Sequence, residues 1–98
     1  MDMLTQQSLY SRERADRYLD DLLEGWRSIP ELEEEWSAWD EMSKEDFAEE
    51  WPACESRLGQ LRRWSDAGLL DVEQRQRFGE LEGYVSSYRE ILERMLNE

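Results

Sequence analysis

Histidine is absent from this chain of 98 residues, and cysteine occurs only once, as Cys54. Within the chain, these absences exclude a catalytic Ser-His or Cys-His pair and a zinc site made of cysteine and histidine. Cys54 cannot form an internal disulfide, and its position on an apolar seam favours a small buried side chain over a reactive thiol. The sequence therefore predicts a protein with no catalytic residues, no metal site and no cofactor.

Strand-forming residues are also scarce, because the chain has two valines, two isoleucines and one threonine. No segment alternates apolar and polar residues in the way that half-buried strands require. The five glycines have neither dinucleotide-binding nor Walker spacing, so no phosphate-binding loop is indicated. These observations predict an all-α fold, a small domain of three to four helices.

Long apolar runs are missing as well, and none approaches the roughly 20 residues that cross a bilayer. The first residues lack the basic and then apolar layout of a secretion signal. We therefore expect a cytoplasmic protein with no membrane partner. The length predicts a single acidic helical domain over residues 1–98, with frayed ends at 1–8 and 96–98.

Apolar residues recur at helical spacing through most of the chain. A first helix is predicted over Ser11–Trp26, and Pro30 or Glu31 opens a short second one. The apolar stripes of these two helices are Ala15, Tyr18, Leu19, Leu22, Leu23 and Trp26, and then Leu32, Trp36, Trp39 and Met42.

The second half of the chain predicts an antiparallel helical hairpin around a turn at Gly68. A capping box of Ser43 and Asp46 would start its first helix, and Asp71 with Gln74 would start its second. Pro52 lies within the first seam and either kinks one helix or separates two helices. Because the apolar spacing of the seam continues past Pro52, one kinked helix is favoured. The two seams are Phe47, Trp51, Cys54, Leu58 and Leu61, and then Phe78, Leu81, Val85, Tyr88, Leu92 and Met95.

Negative charge is concentrated in one quarter of the chain. The formal net charge is −13, and residues 31–55, here called the acidic block, carry eleven acids and one base, Lys44. A surface of this sign disfavours direct binding of nucleic acid, which needs a basic patch. The ordinary interpretation of such a block is a solvated helix face.

Tryptophans within the acidic block favour a binding function over a merely solvated face. Trp36, Trp39 and Trp51 are interleaved with the acids, and tryptophan is frequent at the energetic centres of interfaces. We expect Trp36 and Trp51 to lie in the core and Trp39 to be partly exposed. The predicted partner-binding residues are Glu33, Glu34, Trp39, Asp40, Glu41, Glu45, Asp46, Glu49 and Glu50.

These features predict a non-catalytic module that binds a protein partner with a basic surface. In size and charge the chain is similar to small acidic inhibitors encoded by phages and mobile elements and to some immunity proteins, although it shares no motif with them. An inhibitor, an antitoxin-like factor or a mimic of nucleic acid are forms that this function could take.

Two alternatives are of a different class. The heptad seams could instead complete a homodimer or a larger helical assembly, and Gly79 and Gly83 would allow a close helix approach if they are not simply tolerated.

A third possibility is a hydrolase dependent on Mg²⁺ or Mn²⁺. The segment Asp20-Asp21-Leu22-Leu23-Glu24 resembles the EExxE half of the all-helical nucleotide pyrophosphatase motif, but no ExxD pair follows on a later helix.

Overall fold

Four α-helices make up the part of the fold that the structure describes. The computed structural model describes the backbone of residues 3–97 and the side chains of residues 12–97, and it contains no strand within that range. The helices are α1 (Met3–Arg27), α2 (Ile29–Trp36), α3 (Glu41–Asp66) and α4 (Val72–Leu96). The predicted all-α class is confirmed.

Contacts between distant residues give the directions of the helices. The Gln74 amide, at the start of α4, donates to the Asp16 carboxylate at 2.8 Å, and Arg94, at its end, lies 3.1 Å from Glu33 of α2. From the first contact to the second, the residue number rises both in α4 and in the segment formed by α1 and α2. Helices α1 and α2 therefore run parallel to α4. Arg62 pairs with Glu82 at 2.8 Å and Arg89 with Glu55 at 2.9 Å, which makes α3 antiparallel to α4.

The predicted hairpin is therefore present as α3 and α4, and α1 packs closely along α4. One apolar core joins the helices, because each helix contributes residues from its predicted stripe. The core residues are Ala15, Leu19, Leu22, Trp26, Ile29, Trp36, Trp51, Leu58, Leu61, Trp64, Leu70, Leu81, Val85, Leu92 and Met95.

The boundaries of α1 and α2 differ from the predicted ones. Helix α1 starts at Met3 instead of Ser11, since neither glycine nor proline stands between these positions to stop it. Only Ser28 separates α1 from α2, and Pro30 lies in the first turn of α2, where its missing N–H is tolerated. The predicted frayed ends include residues 1, 2 and 98, which lie outside the described residues.

Helix α3 is one continuous helix that contains Pro52, so the favoured of the two predictions is confirmed. Its start was predicted wrongly, because the cap is Asp40 and not Ser43: the Ser43 backbone N–H donates to the Asp40 carboxylate at 2.7 Å. Asp40 has the extended backbone of a cap, with φ −76° and ψ 166°, while Ser43 is already helical.

The turn between α3 and α4 follows the predicted chemistry. Gly68 has φ +73°, the left-handed conformation that glycine adopts without strain. Asp71 and Gln74 form a complete capping box at the start of α4.

The structure bears on two expectations about surface positions. Met42 was placed on the apolar stripe, but it is 73% exposed because α2 ends at Trp36 and the stripe is not continued through the turn. An added Cβ at Gly79 or Gly83 would meet nothing within 4 Å, so no described part of this chain approaches them closely. Over the described residues, no helix has an apolar stretch long enough to reach across a bilayer.

Candidate functional site: an acidic surface over an aromatic cluster

The turn between α2 and α3 places the predicted site residues. After Trp36, the backbone N–H groups of Ala38 and Trp39 donate to the carbonyls of Glu35 and Trp36 at 2.9 and 3.1 Å. This tight turn brings Trp39 back against the core before Asp40 caps α3. The hydrogen bonds from Ser43 hold the pKa of Asp40 below its ordinary value, so the cap is ionised at neutral pH.

An aromatic cluster lies beneath the turn between α2 and α3 and explains why the acidic block is rich in tryptophan. Ring centroids are 5.2 Å apart between Trp26 and Trp51, 5.5 Å between Trp51 and Phe47, and 5.4 Å between Phe47 and Trp36. Trp39 lies 5.3 Å from Trp36 at the exposed end of this series. Aromatic side chains bury the largest apolar areas, which offsets the repulsion between the acids above them.

The burial of the tryptophans agrees with the expectations. Trp36 and Trp51 are 4% and 7% exposed, so both belong to the core as predicted. Trp39 is half-buried, also as predicted, and is packed against Phe47 with 6.1 Å between the ring centroids. One part of the indole of Trp39 is thus held by the core while another part meets solvent.

Two of the eight predicted acidic site residues have a role within the fold. Glu33 accepts a hydrogen bond from Arg94 of α4 at 3.1 Å, and Asp40 caps α3. Glu55, at the end of the acidic block, likewise accepts hydrogen bonds from Arg89 at 2.9 and 3.1 Å and from the Trp51 indole at 2.9 Å. The Arg89 guanidinium holds the pKa of Glu55 below its ordinary value.

The other eight acids of the block have no hydrogen-bond or ion-pair partner among the residues that the structure describes. All eight are exposed. We call them the acidic surface: Glu31, Glu34, Glu35, Glu41, Glu45, Asp46, Glu49 and Glu50. Six of them were predicted as site residues, and Glu31 and Glu35 were not.

Helical spacing places acids of this surface next to one another. Within α3, Glu41, Glu45 and Glu49 form one row at intervals of four residues, and Asp46 and Glu50 form a second. Like charges at this spacing destabilise a helix by about 0.2–0.5 kcal/mol per pair. The acidic surface therefore weakens the helix that carries it.

The described residues do not gather the groups that a metal-dependent hydrolase needs. Asp20, in the segment that resembles half of the pyrophosphatase motif, forms an ion pair with Arg77. No group of three or more His, Cys, Asp or Glu side chains suited to a metal ion is found within the described part of the chain. Burial raises the pKa of the half-buried Cys54 thiol, which disfavours its reactive thiolate form.

The arginines of α3 are engaged with neighbouring side chains. Arg62 pairs with Glu82, Arg63 donates to the Gln60 side chain at 2.8 Å, and the Arg57 guanidinium lies 5.7 Å from the centre of the Tyr18 ring. These contacts engage the arginines of α3 within the fold.

Comparison with known proteins gives no relative to which a function could be traced, since no protein-family model, no curated protein and no solved structure matches this chain.

Proposed function

We propose that this protein is a non-catalytic binding module whose acidic surface docks against a basic surface of a protein partner. The observation that supports this most strongly is the acidic surface itself: eight exposed carboxylates without partners in the described structure, several in rows that weaken their own helix. A contact with a basic surface would neutralise that repulsion and steer the partner into encounter.

Trp39 gives this surface an apolar contact point. Its half-buried indole is fixed by Trp36 and Phe47, so little side-chain freedom is lost when a partner covers it. Truncation of tryptophans at the centre of interfaces often raises the dissociation rate and weakens binding by 2 kcal/mol or more. Trp39→Ala should therefore speed dissociation, whereas loss of a surface carboxylate should slow association.

The partner surfaces that best complement a block of carboxylates are those that otherwise contact phosphates. The proposal therefore includes inhibition by imitation of nucleic acid, in the manner of an antitoxin or an immunity factor. Competition between this protein and a nucleic acid for the partner would support that form of the function, and simultaneous binding of both would contradict it.

The homodimer alternative gains no comparable support. The seam residues Leu58, Leu61, Leu81, Val85 and Leu92 are buried inside the single chain, so an assembly would have to use other surfaces.

Two variants of equal net charge test the proposal. The surface variant carries Glu45→Gln, Glu49→Gln and Glu50→Gln, and the control variant carries Glu13→Gln, Glu73→Gln and Glu90→Gln, at exposed acids outside the acidic block. Wild-type protein should retain a basic protein from a lysate of the source cells, and the association rate should fall as salt rises. The surface variant should associate severalfold more slowly than the control variant. Equal rates for the two variants, or retention of no basic protein, would contradict the proposal.

A further inference from the structure

A surface cavity of about 300 Å³ opens beside the acidic surface, at the junction of α2, α3 and the end of α4. Trp36, Ala48, Met95 and Leu96 give it an apolar lining. Its volume is at the lower end of the roughly 300–1,000 Å³ that ligand sites occupy, a size suited to one large side chain.

Two polar groups at the cavity lack their usual partners. The Trp36 indole N–H is buried and has no hydrogen-bond partner in the described structure, a condition that is destabilising. Pro52 has no backbone N–H, so the carbonyl of the cavity residue Ala48 lacks the donor that the helix would otherwise supply. The cavity and the unpaired Trp36 N–H together mark a place where packing within the chain is incomplete.

Charged residues line the open side of the cavity. Glu41 and Glu45 belong to the acidic surface and are exposed, and Lys44 stands between them in the sequence. The Lys44 ammonium lies 5.4 Å from the centre of the Trp36 ring, so the one base of the acidic block is held against the cavity wall. Apolar lining residues with exposed carboxylates beside them complement an apolar side chain that has cationic neighbours.

We infer that this cavity receives a single apolar side chain from a basic segment of the partner, while flanking lysines or arginines of that segment contact Glu41 and Glu45. The inference rests on the proposed function and adds an anchoring point to it. Charge alone would attract many basic surfaces, whereas the cavity selects those with an apolar residue among their cations.

Two synthetic helical peptides of 16 residues provide the probe. Both are rich in lysine and arginine and carry the same charge; one has a central phenylalanine and the other a serine in its place. The phenylalanine peptide should bind wild-type protein about tenfold more tightly, because its ring leaves water on binding. It should also shift the methyl signal of Met95 in the NMR spectrum of protein labelled at its methionine methyl groups, and the serine peptide should not.

Two variants, each replacing an alanine by leucine, distinguish binding in the cavity from binding elsewhere on α3. Ala48→Leu fills the cavity, and Ala53→Leu makes the same change at an exposed position of the same helix that is not part of the cavity lining. Both keep the net charge and replace one strong helix former by another. Ala48→Leu should abolish the preference for phenylalanine, and Ala53→Leu should retain it.

The outcomes distinguish the inference from the function on which it rests. If both peptides bind wild-type protein equally, or if Ala48→Leu retains the preference, the cavity is not an anchor, although the acidic surface still binds cations. If neither peptide binds, the inference and the proposed function both fail.

Discussion

Three acids outside the acidic block have a basic residue four positions later along the helix, whereas four acids within the block have an acidic residue there. Glu13, Glu73 and Glu90 each have an arginine four residues later, in the orientation that stabilises a helix. Within the block, Glu31, Glu41, Glu45 and Asp46 each have glutamate at that position. The first arrangement is expected of a surface selected for stability, and the second is not.

Ion pairs between helices also differ between the acidic block and the rest of the chain. Away from the block, Arg77 pairs with Asp16 and Asp20, and Arg62 pairs with Glu82. Within it, only Glu33 and Glu55 reach an arginine of α4 in the described structure. Most acids of the block thus add no ion pair to the fold in the described structure.

The largest effect should come from the core beneath the acidic surface. Trp36→Ala should lower the free energy of unfolding by about 3–5 kcal/mol, because a buried aromatic side chain is lost and a cavity is left. Met42→Ala, a few residues away but 73% exposed, should change it by less than about 0.5 kcal/mol. Urea unfolding of both variants measures the difference. Similar small effects would mean that the aromatic cluster does not carry the stability of this region.

A smaller effect should come from the cap of α3. Asp40→Ala should lower the free energy of unfolding by about 1 kcal/mol, because the Ser43 N–H loses its acceptor. Glu49→Ala, in the interior of α3, should cause no comparable loss, since Glu49 has no partner in the described structure and alanine is the best helix former. An equal loss in both variants would show that Glu49 has a stabilising role, and the distinction between capping and surface acids would fail.

The pH dependence of stability separates paired from unpaired acids. The pKa of Glu55 is lowered below its ordinary value of 4.5, so its contribution is fully present above that value and is lost as pH falls through the lowered pKa. Chemical unfolding should therefore show no fall in stability from pH 7 to pH 5, and a loss only below about pH 4.5. Glu55→Gln should reduce the loss at low pH, and a steep fall between pH 7 and pH 5 would contradict the account.

Much of the fold could be predicted from the sequence, because apolar spacing specifies which face of each helix is buried. Leu19, Leu58, Leu81 and Leu92 are in the core for that reason. The start of α3 could not be placed by the same logic. Asp40 and Ser43 are both good caps, and the choice between them depends on where the chain leaves Trp36, which is a matter of tertiary structure.

The candidate site was predicted in outline only. Composition identified the block and its tryptophans, since both are local properties of the sequence. The partners of Glu33 and Glu55 are 61 and 34 residues away in α4, so spacing within one helix could not reveal them. The cavity at Trp36 was missed for the same reason, because Met95 and Leu96 reach it only through the packing of α4.

The central claim is that the charge of the acidic surface does not hold the fold together. Its most direct test is the free energy of unfolding in urea, at low salt and neutral pH, of the surface variant and the control variant defined above. The surface variant removes three like-charged pairs and should be more stable than wild type by about 1 kcal/mol, whereas the control variant removes three Glu–Arg neighbours and should be no more stable than wild type. A surface variant less stable than wild type would show that these carboxylates support the native structure, and the account of the acidic surface would be wrong.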